Sequence, residues 1–345
     1  MSKLVSIIVV NWNGKHYLRA CLSSLYKQNY KNIEVLLVDN ASIDGSVKYV
    51  KKYFPKTKII INKKNLGFAE PNNIGYDNSK GKYILFLNND TRVTDNFLTE
   101  LIKVLQSDKK IGGVQSKILL MDNPKKLDSV GAFLTITGFL YHYGIAKKDS
   151  PNYDKQINIY SAKGACMMFR REVLTKVKID GEIFDSRYFA YFEETDLCHR
   201  VWLAGYRIVF APKSVIYHKL GGTSTLINNA FVQYHSFKNR INSYLKNFER
   251  VTLLKILPLH VFLSEVYAVL NLLRANVKLF IAIQKAIVWN IKNINETLKK
   301  RSKIQKGVRK IIDKVLLPLI KKRVKLNYYF HLFSGLEYYE DDKIN

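Results

Sequence analysis

The stretch ILFLNNDTRV, residues 84–93, runs four apolar residues into Asn88-Asn89-Asp90. Its first half has the unbroken hydrophobicity of a strand buried on both faces. The polar end has two readings. Asn and Asp are common turn formers. They are also the oxygen donors that a hard cation, or a ligand carrying one, would use.

The surrounding segments decide between them. LVSIIVV (4–10), IEVLLV (33–38), TKIII (57–61) and KYILFL (82–87) are short, largely β-branched runs. Between them lie the amphipathic stretches HYLRACLSSLYKQ (16–28), DGSVKYVKKYF (44–54) and residues 70–79. That alternation predicts an α/β fold with a parallel sheet. Ligands of such sheets sit outside the carboxyl ends of the strands. The residues there are Asn11-Trp12-Asn13, Asp39-Asn40, Asn62 through Asn65, and Asn88-Asn89-Asp90. One polar end would be a turn; four on one edge predict a polar-ligand site. A dinucleotide dehydrogenase is excluded, because NWNGKHYL after the first run offers one glycine where the phosphate fingerprint needs three. No Walker loop occurs either.

The chain has 345 residues, 47% of them hydrophobic, enough for one large or two moderate globular domains. Cys21, Cys166 and Cys198 are far apart in sequence, which supports neither a disulfide framework nor a cysteine zinc site and fits a reducing compartment. MSKLVSIIVVNWNG reads as a first strand, not a signal peptide. The net charge of +28 calls for a polyanion, a membrane surface or an acidic substrate.

A second cluster spans 160–224. EETDLCHRVWLAG reads as a helix ending at Gly205, with Glu193, Glu194 and Asp196 in its first turn. The helix dipole favours carboxylates there, so mere capping is one reading. Three acids within four residues, preceded by the aromatic run Tyr188–Phe192, exceed what a cap requires. His199 reads as surface and Trp202 as packing; Trp12, at the ligand edge, is left open.

The ordered set VSIIVVNWNG (5–14), EVLLVDNASIDGS (34–46), NLGFAEPNNIG (65–75), FLNNDT (86–91), KGACMMFRREV (163–173), FDSRYFAYFEETDLCHRVWLAGYRI (184–208) and YHKLGG (217–222) resembles the family 2 glycosyltransferases, in their rhamnosyltransferase-like branch. The resemblance covers residues 4–224. It implies a GT-A fold, a mostly parallel central sheet flanked by helices. It also implies inverting transfer from a UDP- or dTDP-linked sugar to a hydroxyl of a lipid-linked or cell-surface glycan.

Carried onto this sequence, the resemblance makes Asn11 and Asp39 nucleotide contacts. Asn65, Gly67, Phe68 and Asn73 would shape the donor pocket, with Asn88 and Asn89 beside it. Asp90 closes the Asp-x-Asp-like motif and would bind Mg²⁺ or Mn²⁺, with His218 near the metal and the diphosphate. Glu194 matches the second acid of the family's Glu-Asp pair and becomes the base, Asp196 the alternative, and Glu193 would face metal or acceptor. Glu70-Pro71 departs from the family's small pair, and Glu194 from its usual aspartate.

The motifs imply a catalytic domain over 1–225 and a helical, basic region over 226–345. Residues 226–345 hold 22 Lys/Arg against 8 Asp/Glu, and 292–325 hold 13 against 2. QYHSFKNRINSYLKNF (233–248) resembles the Arg-Asn helix that follows such domains. VTLLKILPLHVFLSEVYAVLNLL (251–273) and VKLFIAIQKAIVWNI (277–291) are apolar but interrupted. They predict helices on or dipping into an anionic membrane, at its cytoplasmic face, with a homo-oligomer interface or a membrane hairpin as alternatives. No nucleic-acid motif accompanies the charge. An inactive sugar-binding scaffold and a nucleotidyltransferase are the rival functions.

Overall fold

The computed structural model describes residues 2–219 and 229–334. The boundary expected at residue 225, and Gly221-Gly222 of the last motif, lie outside the described residues. The first half alternates as expected: β1 (Val5–Asn11), α1 (Lys15–Tyr26), β2 (Ile33–Asp39), α2 (Ser46–Tyr53), β3 (Lys58–Ile61), α3 (Ala69–Asp77) and β4 (Tyr83–Asn88). Then follow β5 (Thr91–Val93), α4 (Phe97–Ser107), β6 (Ile111–Leu120), β7 (Leu127–Ser129) and the hairpin β8 (Gly131–Leu134) with β9 (Leu140–Tyr143). β10 (Ile157–Asn158), β11 (Cys166–Arg170), α5 (Arg171–Val177), α6 (Glu193–Leu203) and β12 (Arg207–His218) complete this half.

The central sheet runs β10-β12-β6-β11-β4-β1-β2-β3, with β5 beside β12 and β7 beside β6. β1, β2, β3 and β4 pair in parallel, as do β6 and β12, while β11 lies antiparallel between β4 and β6. This is the expected GT-A architecture. Because β1 is followed by β2 on one side and flanked by β4 on the other, the strand order reverses between β1 and β4. A crevice opens at such a switch point. Ile7, Ile8, Val9, Leu36, Leu37, Ile84 and Phe86 are fully buried, so the unbroken apolar runs reflect a sheet covered on both faces.

The remaining chain is helical: α7 (Asn229–Asn247), α8 (Arg250–Leu273), α9 (Val277–Lys292), α10 (Ile294–Lys303), α11 (Asp313–Ile320) and α12 (Leu326–Ser334). These helices share a core with the sheet half. Tyr244, Phe248, Ile304, Leu316, Ile320 and Tyr328 join one buried cluster with Phe86, Phe169 and Trp202.

His199 departs from expectation. It is fully buried, its Nδ1 3.0 Å from the Tyr160 hydroxyl and its ring against Phe248. The face of α6 that reads as solvent-facing is covered from α7. Trp202 packs as expected, its indole N–H donating to the Ile159 and Tyr160 carbonyls. All three cysteines are free and buried.

Candidate active site

A cleft of about 720 Å³ opens over the carboxyl ends of β1 and β4. Trp12, Asn40, Asn65, Gly67, Phe68, Asn88, Asn89 and Asp90 line it from the strand ends. Asn89 and Asp90 form the turn from β4 into β5, whose Thr91 pairs with His218 at the end of β12.

Many of the strand-end amides hold one another. Asn11 Nδ2 donates to Asp39 Oδ2 at 2.9 Å, and Asn89 Nδ2 donates to Asn11 Oδ1 at 2.7 Å. Asn62 Nδ2 donates to Asn40 Oδ1 at 2.9 Å, while Asn40 Nδ2 donates to the Gly67 carbonyl at 2.7 Å. The fully buried Asn11 and Asp39 therefore form the floor beneath the cleft and are not on its wall. Asn73 also faces inward. It brackets Phe184, donating to its carbonyl at 2.9 Å and accepting from its N–H at 2.9 Å. Gly67 has φ of +82°, and a Cβ there would strike the Phe189 carbonyl. Glycine is required at that position.

At one corner Asp90 meets His218. Nε2 of His218 stands 3.3 Å from Asp90 Oδ1, off hydrogen-bond alignment, so that buried oxygen keeps no hydrogen-bond partner. On its other side the ring meets Asp128, with Nδ1 2.7 Å from Oδ2. Lys163 lies 2.5 Å from the second Asp128 oxygen. Burial opposes the Asp128 charge, but Lys163 and His218 outweigh it and hold its carboxyl well below the usual range. An ionised carboxylate only accepts, so Nδ1 carries hydrogen and Nε2 is presented to Asp90 and the cleft. Burial opposes protonation of His218, and the two aspartates overcome it and raise its pKa.

This corner fits a hard divalent ion as a two-ligand site. It offers an unpartnered carboxylate oxygen and an oriented imidazole. Among the described residues no group of three or more His, Cys, Asp or Glu side chains completes a protein-only cage. Mg²⁺ and Mn²⁺ commonly take the rest of their ligands from phosphate and water.

The same cleft carries two further acids. Glu193 and Glu194 open α6 and line the cleft. Burial raises both carboxyls, Glu194 to about 6, and the neighbouring Glu194 charge pushes Glu193 well above the ordinary range. Lys163 lowers Glu194 in part, so it is the more readily ionised of the two. The loop delivering them is strained: Phe189, Tyr191 and Phe192 all have positive φ, at 61°, 69° and 70°. Large side chains rarely hold such angles without support. The support is Asn239 on α7, whose amide donates to the carbonyls of Tyr188, Ala190 and Tyr191 at 3.0, 2.9 and 2.6 Å. From the donor side, the Phe68 and Ala69 N–H groups donate to the Phe189 carbonyl.

Asp196 is not one of the cleft acids. It is 1% exposed and paired with Arg200 at 3.1 Å and Lys246 at 3.3 Å, beside a void of about 10 Å³. Burial opposes its charge, yet Lys246 and Arg200 bring its pKa down to about 2. Read in the sequence as the alternative base, Asp196 does not line the cleft and stands in a buried ion pair. Asp128, Lys163, Tyr191 and Arg240 have no role in the sequence reading, and the fold gathers them at the cleft. For Asp128 no local pattern could have shown it.

The sheet and the switch-point cleft lined by acids define a GT-A protein. The model of "Glycosyl transferase family 2" matches residues 6–178, and the chain belongs to that family. Among curated relatives, "Glycosyltransferase GlyA" of Streptococcus pneumoniae is 32% identical over 117 residues, which is 32% of this chain and 17% of GlyA. "Glycosyltransferase GlyG" of the same organism is 31% identical over 109 residues, 31% of this chain and 36% of GlyG. The matches thus take in about a sixth to a third of those relatives' length. Among solved structures, S. aureus TarS 1-349 in complex with UDP-GlcNAc aligns at TM-score 0.56 and 18% identity, over 82% of this chain and 80% of that one. The mannosyltransferase PcManGT from Pyrobaculum calidifontis, in complex with GDP-Man and Mn²⁺, aligns at 0.53 and 14% identity, over 88% and 86%. These two share the fold.

Proposed function

We propose that the protein is an inverting, metal-dependent glycosyltransferase. It moves a sugar from a nucleoside-diphosphate sugar to a hydroxyl of a lipid-linked or cell-surface glycan, in polysaccharide assembly. The single observation carrying this is that Asp90 and His218 line the same cleft as Glu193 and Glu194. The motif order motivates the rhamnosyltransferase-like branch and a UDP- or dTDP-linked donor. The UDP-GlcNAc and GDP-Man held by the two structural neighbours support a nucleotide-sugar donor.

In this reading Asn40, Asn65 and the backbone at Gly67 receive the nucleotide over the floor that Asn11 and Asp39 brace. Asp90 and His218 would hold Mg²⁺ or Mn²⁺, and the Mn²⁺ in PcManGT agrees with a divalent ion. Bound there, the cation supplies charge stabilisation for the departing diphosphate. Glu194 takes the acceptor proton at its carboxylate, for which ionisation is the requirement. The strained 189–192 loop fixes that carboxylate, and the aromatic wall excludes water.

The acceptor is read as membrane-borne. α8 is long and apolar enough to cross a membrane by length and composition, and much of its surface is uncovered. Phe262, Val266, Val269 and Leu273 form one exposed stripe along it. We place the protein at the cytoplasmic face of an anionic membrane, with that stripe in the interface. A homo-oligomer through the same helices is the alternative that the membrane assay in the Discussion separates.

Incubation with a panel of nucleotide sugars, Mn²⁺ and a membrane extract tests the function. Sugar-dependent release of a nucleoside diphosphate is expected. Release of inorganic pyrophosphate would make it a nucleotidyltransferase, and no turnover with any donor would make it a binding scaffold.

A further inference from the structure

Buried cations in this protein are otherwise satisfied. Arg200 donates to Asp196 and to the Val177 and Ile183 carbonyls. Lys246 meets Asp185 at 2.8 Å, and Lys117 meets Asp149 and Asp154 at 2.8 and 2.6 Å. Arg240 differs. Half-buried, it enters the cleft from α7, and among the described residues no hydrogen-bond acceptor and no ion-pair carboxylate meets its side chain. Its Nε is buried without a partner. Instead its guanidinium is walled by three rings, with Phe139, Phe192 and Phe237 centroids at 5.1, 5.2 and 5.5 Å. Ring faces attract a cation but leave its planar N–H fork open.

The Glu194 charge acts on Arg240 from outside ion-pair distance, so its buried Nε and open fork are left to the oxygens of a ligand. We propose that Arg240 binds an oxyanion, phosphate or carboxylate, carried by the acceptor. The proposal rests on the transferase reading of the same cleft. Three observations place the oxyanion on the acceptor and not on the donor. Arg240 is carried on α7, not on a strand end like Asp90. It packs on Phe192, the residue directly before Glu193 and Glu194, so its ligand lies beside the groups that must meet the acceptor hydroxyl. Leu140, His142, Tyr191 and Ser236, which line the same cleft, are not strand-end amides. They suit a group with an apolar body and one charge. Burial and the Lys163 and Arg240 charges lower His142 to about 4, so it adds no competing cation.

The test uses the full chain. Binding of farnesyl phosphate and of decyl glucuronide is measured against neutral farnesol and decyl glucoside. UDP, dTDP and GDP, each with Mn²⁺, serve as separate nucleotide probes. The wild type should prefer at least one charged ligand over its neutral partner by tenfold or more, and which one names the oxyanion as phosphate or carboxylate. Arg240→Gln should abolish that preference and leave nucleotide affinity within about twofold. Arg240→Lys, which keeps the charge but loses the fork, should retain only part of it, and serves if the glutamine variant does not fold. Equal binding of charged and neutral ligands by the wild type overturns the proposal. So does a glutamine variant that loses nucleotide affinity, which would assign Arg240 to the donor. Failure of the wild type to bind any nucleotide would instead sink the transferase reading, and the charged-over-neutral comparison is read without nucleotide.

Discussion

In the proposed reaction Glu194 takes the acceptor proton, and its environment sets a testable pH dependence. Burial places its carboxyl near 6, above the ordinary value, and a base must be ionised to act. Sugar transfer at saturating donor should therefore fall as the pH drops through about 6. Glu194→Gln should lower it by roughly 10²–10⁴ at neutral pH and erase that acid limb. A glutamine variant that keeps the limb would move the base elsewhere. Much of this corner is legible in the sequence: Asp90 and Glu194 each sit in a local motif, and their placement follows from a strand end and a helix start. Asn11, Asp39 and Asn73 look equally polar in sequence but turn inward, because each finds a partner across the fold that no local pattern announces. Asp128 is the converse case. It is ordinary in its own segment, and it reaches His218, ninety residues on, only because β7 and β12 both pair with β6.

At the scale of elements, α6 is held by a buried ion network. Lys246 on α7 bridges Asp185 and Asp196, while Lys300 on α10 meets Asp185 at 2.8 Å and Arg187 grips it as well. This explains why the basic block is not all free for lipid: Lys300, Lys303 and Arg309 are engaged by Asp185, Asp180 and Asp313. Burial raises the Asp185 and Asp196 carboxyls, but the cations prevail and depress both. Their stabilisation is thus fully present above the ordinary carboxylate range and is lost as pH falls toward about 2. Lys246→Met removes the shared cation and leaves two buried carboxylates underpaired. A loss of about 3–5 kcal/mol is expected, read as a melting temperature lowered by roughly 10 °C, with the deficit narrowing in acid. An unchanged melting temperature would show that Arg200 and Lys300 suffice. The helices themselves are legible from periodicity. Their burial is not: α6 reads as amphipathic, yet α7 covers its outer face and buries His199.

For the whole molecule, the proposed membrane-borne acceptor calls for a docking surface on the helical half. Phe262 and Leu273, 63% and 78% exposed on α8, give the docking reading a direct check. The full chain should float with anionic vesicles at low salt, and the paired substitutions Phe262→Glu and Leu273→Glu should release it without lowering its melting temperature. A wild type that ignores vesicles but forms dimers broken by the same substitutions would assign the stripe to an oligomer. Cutting the chain after Phe248 is not a clean alternative, because Ile304, Leu316 and Ile320 belong to the shared core. The central claim is that Asp90 and a divalent cation act as one unit on the donor diphosphate. It is tested most directly by steady-state transfer with the donor that the panel identifies, measured for wild type and Asp90→Asn with Mn²⁺ and with chelator. Chelation should cost the wild type at least about 10²-fold, or about 2.7 kcal/mol of transition-state stabilisation. Asp90→Asn should begin at that lowered rate and lose little more on chelation, because both operations remove the same interaction. Near-normal turnover by Asp90→Asn, or by the chelated wild type, would contradict the account.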